Sequence, residues 1–308
     1  MNISVICPLY NAEKYIVNLD KSIRMQKNVD IESIYYVLTE SKDRSEDILN
    51  DIGANYNSIK KDKFSHSLTR ENQAMKSSGD IVVFITQDVI IEDNLWLYNL
   101  TRDIIDGNCE AAFSRQICKY SGMERYIRLR NYPNKSRIVS KDDISKLGLM
   151  TFFFSDASSA VNREIFKKIK GYDNKNLIIS EDMYLAYKLI MNGYRIKYCA
   201  DSVVIHSHKF TCKQLFNRYF DTGVFFTDNS YLSNYGSNQS GMSLAKSVFF
   251  NSIRTKDFST LFNMFPNFAS RFIGMQLGKR YKVLPKKLLR RYSLNKNYWK
   301  NVFNGDEI

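Results

Sequence analysis

The side chains best suited to catalysis fall in separate short segments of the chain, and the first of these centres on Asp88. Residues 81–86 form a continuous apolar run, typical of a strand buried on both faces of a parallel sheet. Open α/β sheets bind ligands beyond the carboxyl ends of their strands, where Asp88 is expected to lie. A carboxylate there could hold a divalent cation on a diphosphate, or could cap the helix that follows.

A second candidate is the pair Glu181 and Asp182, which begins a segment of helical spacing, residues 181–191. Ser180 precedes the pair and is predicted to be the N-cap of this helix. In the first turn of a helix, the free N–H groups and the dipole favour an ionised carboxylate, which suits a general base acting on a hydroxyl. The alternative is that both carboxylates only decorate the start of a helix.

Histidines and an arginine supply further candidates. Two of the three histidines, His206 and His208, stand two residues apart at the end of an apolar segment. Alternation along a strand puts both imidazoles on one face, which favours a metal site or a phosphate contact. His66 and Arg70 lie at a predicted junction of loop and helix, where basic side chains suit phosphate oxygens. With the two carboxylate segments, they describe a metal-bound diphosphate beside a general base.

Other common nucleotide and hydrolase motifs are missing from the sequence. No G-x-G-x-x-G follows the first predicted strand, and the chain has neither a P-loop nor a G-x-S-x-G elbow. Nicotinamide-dependent, nucleotide-hydrolysing and α/β-hydrolase functions therefore lose their main support.

Strands and helices must alternate along the chain to bring these segments together. Strands are predicted at 3–7, 33–38, 81–86 and 195–205, and helices at 11–25, 45–52, 68–77, 93–105, 162–169 and 181–191. This alternation predicts an α/β fold with a mainly parallel sheet flanked by helices. Residues 120–145 are expected to form an ordered loop and helix over the site. We predict a catalytic domain at 1–208 and a helical, basic region at 209–308.

The net charge of +13 is concentrated near the C-terminus. Residues 260–305 contain ten lysines and arginines and no acidic residue. The apolar residues mixed among these cations are Phe272, Ile273, Leu277, Leu284, Leu288 and Leu289. Such a mixture is typical of an amphipathic segment on anionic lipid, although a solvated helical face is the alternative. We find no DNA- or RNA-reading element, so the charge does not predict a nucleic-acid partner.

The cysteines and the N-terminus bear on the compartment. Five cysteines are scattered singly without a C-x-x-C pair, which favours a reducing environment over a disulfide framework. The N-terminus lacks the pattern of a secretory signal, and no uninterrupted apolar run approaches the roughly 18 residues of a spanning helix. We therefore expect a cytoplasmic protein, peripherally associated with the cytoplasmic membrane.

The order of the segments resembles the inverting glycosyltransferases of family 2, which have the GT-A fold. The matching segments are 8–11, 78–84 leading to Asp88, 170–173, 181–182 and 204–206. A finer likeness is to the rhamnosyltransferase branch, whose TQD version of the metal motif is similar to residues 86–88. Further segments similar to that branch are 114–116, 130–133, 151–157, 206–208, 218–225, 274–278 and 284–285. The likeness extends to about Trp299.

The resemblance implies roles for individual residues. It places Pro8, Tyr10, Asn11 and Arg70 around the nucleotide. Asp88 would bind Mg²⁺ or Mn²⁺ on the diphosphate, with His206 as the preferred second ligand and His208 as the alternative. Asp182 would deprotonate the acceptor hydroxyl, and the residues implied to line the sugar or acceptor site are Arg115, Gln116, Asp156 and Glu181. The implied donor is dTDP-β-L-rhamnose, and the implied acceptor is a bacterial surface glycan on a polyprenyl diphosphate.

Two positions depart from the family pattern. Family members usually carry an aspartate for the base or ribose after the second strand, where this chain has Leu38. Glu40 is the nearby carboxylate that could replace it. The branch tends to have asparagine after the arginine, where this chain has Glu71. A donor of the UDP-hexose or UDP-N-acetylhexosamine type is therefore an alternative. A binding-only relative and a non-catalytic basic nucleic-acid-binding protein are more remote ones.

Overall fold

An eight-stranded sheet forms the centre of the computed structural model, which describes residues 1–236 and 241–305. The strands are Asn2–Leu9 (β1), Asp30–Thr39 (β2), Asn55–Ile59 (β3), Ile81–Ile85 (β4), Ala111–Ile117 (β5), Arg137–Val139 (β6), Ser158–Asn162 (β7) and Ile196–Ile205 (β8). Their spatial order is β3-β2-β1-β4-β7-β5-β8-β6, in which β7 and β6 run antiparallel to their neighbours. The predicted α/β architecture with a mainly parallel sheet is confirmed.

Thirteen α-helices connect and cover these strands within the described residues. They are Ile16–Arg24 (α1), Ser45–Asp51 (α2), His66–Lys76 (α3), Trp96–Ile105 (α4), Met123–Asn131 (α5), Ile144–Leu147 (α6), Arg163–Lys168 (α7), Glu181–Met191 (α8), Cys212–Asp228 (α9), Gly241–Arg254 (α10), Phe258–Lys279 (α11), Lys286–Tyr292 (α12) and Lys296–Gly305 (α13). None of them combines the length and hydropathy needed to cross a bilayer. The boundary predicted at residue 208 falls between β8 and α9, and as a domain boundary it stays a prediction.

Strand β4 shows why the sheet needs helices on both faces. All five of its side chains are apolar and buried, and alternate residues point to opposite sides. Val82 and Phe84 belong to one apolar cluster, whereas Val83 and Ile85 belong to another. Two separate layers of core therefore flank the sheet, which fixes the strand ends that carry the site.

The helices after β8 pack closely on one another and on the sheet. A Cβ placed on Gly278 would lie 2.0 Å from the carbonyl oxygen of Phe220, so only glycine allows α11 to approach α9 this closely. Phe220 itself lies in the same buried cluster as Leu289 of α12 and Trp299 of α13. The C-terminal region thus shares a core with the sheet.

This packing corrects the predicted amphipathic surface of the C-terminal tail. Leu289 is buried, and Leu277 and Leu284 pack against the main core instead of facing solvent. Of the six apolar residues on which that prediction depended, only Phe272 and Ile273 are largely exposed. The basic tail is therefore not a separate amphipathic segment.

Candidate functional site

A cavity of about 510 Å³ opens at the carboxyl ends of β1, β4 and β8. It brings together most of the residues singled out from the sequence, namely Pro8, Tyr10, Arg70, Asp88, Asp156, Glu181, Asp182, His206 and His208. These residues come from six separate segments, so the fold and not sequence proximity assembles the site. We call the group Asp88, His206 and His208 the histidine end, and the group Arg70, Asp156, Glu181 and Asp182 the carboxylate end.

The histidine end has the arrangement of a metal site. One carboxylate oxygen of Asp88 lies 3.6 Å from Nε2 of His206 and 3.5 Å from Nδ1 of His208. The three potential ligand atoms all lie within 4.8 Å of one another. The loop after β4 supplies the carboxylate, and the end of β8 supplies both imidazoles. A mixed nitrogen and oxygen set fits Mn²⁺ better than Mg²⁺, which binds chiefly through oxygen.

Both histidines are held in the neutral form that metal binding requires. Burial lowers the pKa of His206 to about 3, against the opposing effect of the Asp88 carboxylate. Burial also lowers the pKa of His208, again against Asp88. Each imidazole therefore keeps a free lone pair at neutral pH.

Gln116 fixes the orientation of His206 from behind. Its Oε1 lies 2.9 Å from Nδ1 of His206 and also accepts a hydrogen bond from Arg128. Its Nε2 donates to the Ser155 hydroxyl at 2.8 Å, which sets the orientation of the amide. Because Oε1 can only accept, the proton of His206 belongs on Nδ1 and the lone pair on Nε2 faces Asp88.

At the carboxylate end, Arg70 and Glu181 form a buried ion pair. Arg70 Nη1 lies 3.2 Å from Glu181 Oε1, and the same nitrogen donates to the carbonyl oxygen of His66 at 3.0 Å. Burial acts to raise the pKa of Glu181, but His66 and Arg70 outweigh it and the pKa is lowered. Glu181 therefore stays ionised and Arg70 is held in the wall of the cavity.

Asp182 occupies the opposite electrostatic setting from Glu181. Its Oδ1 accepts from the N–H of Met183 at 2.8 Å. Burial, followed by the charges of Glu181 and Asp156, raises its pKa well above the ordinary aspartate value. A carboxylate of raised pKa is a stronger base once it is ionised, which suits proton abstraction from a hydroxyl.

The predicted N-cap role of Ser180 is wrong. Ser180 has φ 60° and ψ 33°, the left-handed conformation, and its side chain makes no capping hydrogen bond to α8. A left-handed residue other than glycine is strained, and such strain concentrates at functional sites. Here it turns the chain directly before Glu181 and Asp182.

Asp156 is a buried part of the wall. Its two carboxylate oxygens accept from the Ser159 hydroxyl at 2.8 Å and from the Tyr172 hydroxyl at 2.6 Å. Burial raises its pKa, against the lowering effect of Arg70. Both oxygens thus have protein partners, so Asp156 fixes the neighbouring segments and adds negative charge beside Asp182.

Four predicted residues do not line this cavity. Glu40 lines a neighbouring cavity of about 360 Å³ beyond β2, together with Leu38. Arg115 lines a third cavity, of about 190 Å³, which Gln116 also borders. Asn11 has φ 46°, and its side chain accepts from the N–H of Lys42, so it ties the loop after β1 to the loop after β2.

Glu71, the departure beside Arg70, has a structural task. Its carboxylate accepts from the N–H of Asn174 at 3.1 Å. Asp173 and Asn174 both have positive φ, of 58° and 53°, so this turn needs outside support. The substitution leaves the cavity lining unchanged because Glu71 points to this turn.

Arg218 of α9 also lines the cavity, and the sequence analysis did not include it among the site residues. It is exposed to solvent. Its charge contributes to the lowered pKa of Glu181 and partly opposes the rise in the pKa of Asp182. The available signal was its place in segment 218–225, which resembles the rhamnosyltransferase branch. Tyr15 and Phe64 line the cavity as well, from the start of α1 and the loop before α3.

The C-terminal segment reaches the cavity walls through three asparagines. The Nδ2 of Asn295 donates to the carbonyl oxygen of Ile178 at 3.1 Å, two residues before Ser180. Asn297 and Asn301 likewise donate to carbonyl oxygens of the segment Lys61–Lys63. Two loops beside the cavity are therefore held from a part of the chain more than 100 residues away.

The sequence comparisons agree with this arrangement. The family model described as Glycosyl transferase family 2 matches residues 4–170, more than half of the chain. The chain belongs to glycosyltransferase family 2. It is 33% identical over 309 residues to the O-antigen chain rhamnosyltransferase RfbN of Salmonella typhimurium, covering 98% of this chain and 97% of that protein. The O-antigen chain rhamnosyltransferase WbaN of Salmonella anatum is 33% identical over 306 residues, covering 97% and 96%.

Solved structures confirm the GT-A type of fold for this glycosyltransferase. S. aureus TarS 1–349, in complex with UDP-GlcNAc, matches with a TM-score of 0.56 at 17% identity, covering 99% of this chain and 92% of that one. The mannosyltransferase PcManGT from Pyrobaculum calidifontis, in complex with GDP-Man and Mn²⁺, matches with a TM-score of 0.54 at 15% identity, covering 96% and 84%. The predicted family, its likeness to the rhamnosyltransferase branch and the enzyme class are confirmed.

Proposed function

We propose that this glycosyltransferase moves L-rhamnose from dTDP-β-L-rhamnose to a hydroxyl group of a lipid-linked O-antigen or capsule precursor, with inversion at the anomeric carbon. The observation that carries the proposal is the similarity, over nearly the whole chain, to two O-antigen chain rhamnosyltransferases. The cavity supports it because a cation site and a basic carboxylate share one space. We further propose that the enzyme works at the cytoplasmic side of the membrane.

The nucleotide is proposed to lie between the ends of β1 and β2. Pro8 and Tyr10 line the main cavity, whereas Glu40 lines the neighbouring one. The hydroxyl of Tyr10 accepts from Lys61 at 2.6 Å, which puts a cation beside the passage from one cavity to the other. Asn11 fixes the loop between them. If the nucleoside binds beside Glu40, its diphosphate would extend toward Asp88.

Asp88, His206 and His208 would hold a divalent cation, with Mn²⁺ favoured by the two imidazoles. When bound, that cation would neutralise charge on the diphosphate leaving group. Arg218 would add positive charge from α9. Gln116 keeps Nε2 of His206 directed at Asp88 and so positions one ligand atom before any cation binds.

Asp182 is proposed as the general base. It would take the proton of the acceptor hydroxyl while that oxygen bonds to the anomeric carbon. The bond from this carbon to the diphosphate oxygen breaks in the same displacement, and its electron pair leaves with the nucleoside diphosphate. A single in-line displacement inverts the configuration. Glu181, paired with Arg70, and Asp156 would keep the pKa of Asp182 high until the acceptor arrives.

A UDP-hexose or UDP-N-acetylhexosamine is the second candidate donor. The observation in its favour is Leu38, which is buried at the end of β2 where a nucleotide-binding aspartate is usual in the family. Glu40, two residues further on, offers a carboxylate at a different position in the same cavity wall. Base or ribose recognition could therefore differ, while the metal and the base would act in the same way.

The test is a donor panel with matched nucleotides. Binding and hydrolysis of dTDP-rhamnose, UDP-glucose, UDP-N-acetylglucosamine and GDP-mannose are measured with Mn²⁺ or with EDTA. We expect selective, Mn²⁺-dependent use of dTDP-rhamnose by the wild type and its loss in Asp88→Ala. Preference for a UDP-sugar would contradict the rhamnose assignment but not the enzyme class. Recognition of no donor would contradict both.

A further inference from the structure

Helix α11 carries its large apolar side chains on the side that faces away from the protein. Phe258, Phe262 and Phe265 follow one another at helical spacing, and Phe262 and Phe265 are 84% and 81% exposed. Phe272 and Ile273 continue the same side two turns later and are 64% and 50% exposed. We call these five residues the Phe face. No described residue covers it.

The inward side of the same helix packs on the protein, and Met264, Phe268 and Leu277 contact core clusters there. Thr260, Gly274 and Gly278 are its buried positions. A surface helix normally buries its apolar stripe and exposes its polar one. In α11 the inward side already packs on α9 and the core, with glycine at the closest contact, and the exposed phenylalanines take no part in that packing. Folding of this chain therefore gives no reason for the phenylalanines, and a patch of this kind marks an interaction site.

Helix α10, which packs against α11, also carries exposed apolar side chains and exposed cations. Phe249, Phe250 and Ile253 of α10 are exposed. Beside them, Lys246, Arg254 and Lys256 are exposed as well, the last in the turn that leads into α11. We call these three cations the basic rim. Apolar side chains bordered by lysine and arginine are typical of helices that lie in the interface of a membrane.

The charge of this region selects the partner. Residues 241–305 contain thirteen lysines and arginines and one acidic residue, Asp257. That carboxylate is already engaged, since it accepts from the N–H and hydroxyl of Thr260 and from the hydroxyl of Tyr126. A second copy of the chain would bring the same positive charge against the rim. An anionic lipid surface attracts the cations of the rim, and its interfacial region can take up the phenylalanine side chains.

The position of α11 connects this face to the catalytic cavity. Asn263 and Arg271 of α11 line a small cavity of about 220 Å³ that also includes His208. His208 belongs to the histidine end of the main cavity. A surface held by α11 would therefore lie beside the entrance to the site.

We propose that the Phe face and the basic rim dock the enzyme on an anionic lipid bilayer, with the phenylalanines inserted among the headgroups. The purpose of docking rests on the proposed function, because a lipid-linked acceptor is presented at such a surface. The binding itself depends only on α10 and α11. The membrane-binding surface is thereby restricted to the exposed sides of α10 and α11, because Leu277, Leu284 and Leu289 of the predicted tail pack into the core.

The experiment measures co-sedimentation of the full chain with empty vesicles, one set of pure phosphatidylcholine and one with 30% phosphatidylglycerol. It needs neither donor nor acceptor, so an error in the sugar assignment cannot affect it. The variants are Phe262→Ser with Phe265→Ser, and Lys246→Gln with Arg254→Gln and Lys256→Gln. Met25→Ser is the matched control, because Met25 is an exposed apolar residue at the C-cap of α1. Thermal melting checks that each variant is folded.

We expect the wild type and Met25→Ser to bind anionic vesicles, and 0.5 M NaCl to weaken that binding, because salt screens the charges. The double phenylalanine variant should bind at least tenfold more weakly, and the charge variant severalfold more weakly, with melting temperatures unchanged. Equal binding of the double variant and the wild type would overturn the proposal. So would a wild-type dimer that the double variant converts to a monomer, because the face would then be a contact between copies.

Discussion

At one end of the central cavity Asp88 faces two imidazoles, and at the other Asp182 faces two further carboxylates. The histidine end is made of groups that are ready to bind a cation, since burial keeps both imidazoles neutral. The carboxylate end holds three acidic side chains around the single cation Arg70, which is already paired with Glu181. Two aspartates in one cavity thus have different environments, and their environments assign them different chemistry.

The two ends also differ in how the fold supports them. The histidine end is held by side chains of the sheet, through Gln116 of β5 and its partner Ser155. The carboxylate end follows a strained Ser180 and is held from the C-terminus by Asn295. Substitutions at the carboxylate end should therefore lower turnover without changing cation binding.

The largest effect is expected for Asp182→Asn, which removes the base but keeps the shape of the side chain. Turnover should fall about 10³-fold, within the usual range for general bases. Mn²⁺ binding should be unchanged. Turnover is measured as nucleoside diphosphate release, and Asp106→Asn, at an exposed aspartate directly after α4, is the matched control. Less than tenfold loss would assign the base to another residue.

The same variant should not lose stability. Because the folded-state pKa of Asp182 is raised, its contribution to the free energy of unfolding is present at low pH and lost as the pH rises through that value. At neutral pH an asparagine removes this cost, so the melting temperature of Asp182→Asn should equal or exceed that of the wild type. A clear decrease would show that Asp182 is held by interactions that favour its ionised form.

Asp88→Asn should act at the opposite end. We expect Mn²⁺ affinity and turnover to fall together, by about 10²-fold, because the variant loses the only carboxylate of the histidine end. Electron paramagnetic resonance of Mn²⁺ measures the affinity directly. Retained Mn²⁺ affinity in this variant would show that the cation binds elsewhere in the cavity.

Gln116→Leu should give a weaker version of the Asp88 effect. Without Oε1, nothing selects the His206 tautomer that directs Nε2 toward Asp88. Loss of such a supporting contact usually costs about 10–100-fold in metal affinity. Ser155→Ala, which removes only the outer hydrogen bond, should cost less. If both variants bind Mn²⁺ as the wild type does, the contact does not position His206.

The pH dependence of kcat/KM should have an acid limb set by Asp182. Below its pKa the carboxyl is protonated and cannot accept a proton, so the rate falls tenfold for each pH unit. The raised pKa places this limb well above the ordinary aspartate value of 3.8. The imidazole of His206, with a pKa of about 3, should add no limb there. Rates that stay flat down to pH 4 would contradict this assignment.

The smallest effect is expected for Asn295→Ala. The variant loses the hydrogen bond to Ile178, ahead of the strained residue Ser180, and the one that Asn295 Oδ1 accepts from the N–H of Tyr298. It should lower kcat severalfold without changing Mn²⁺ affinity. Asn192→Ala, which removes a local helix hydrogen bond, is the control. Equal kcat in both variants would show that the C-terminal segment does not position the carboxylate end.

Sequence patterns predicted those elements whose formation depends on residues close together in the chain. Apolar runs and helical spacing located β1, β2, β4 and β8, with boundaries within a few residues. The same patterns did not identify β7, whose sequence SSAVN is short and polar. The hydroxyl of Ser158 can be buried because it accepts a hydrogen bond from the indole N–H of Trp96 and shares another with the hydroxyl of Ser114. Such partners lie far away in sequence, so no local signal reports them.

The site divides in the same way. Residues at strand ends and helix starts, such as Asp88, Asp182 and His206, could be predicted because these positions meet in an α/β fold. The contacts that support them could not, since Gln116, Arg218 and Asn295 act across long separations. The conformation of Ser180 was also unpredictable, because serine before a helix is ordinarily a cap.

The most direct measurement is calorimetric titration of dTDP-β-L-rhamnose, with and without Mn²⁺, onto the wild type, Asp88→Asn and Asp182→Asn. We expect Mn²⁺-dependent binding to the wild type, equal binding to Asp182→Asn, and loss of the Mn²⁺-dependent part in Asp88→Asn. Mn²⁺-dependent binding that survives in Asp88→Asn, or that disappears in Asp182→Asn, would contradict the division of the cavity into a cation end and a base end.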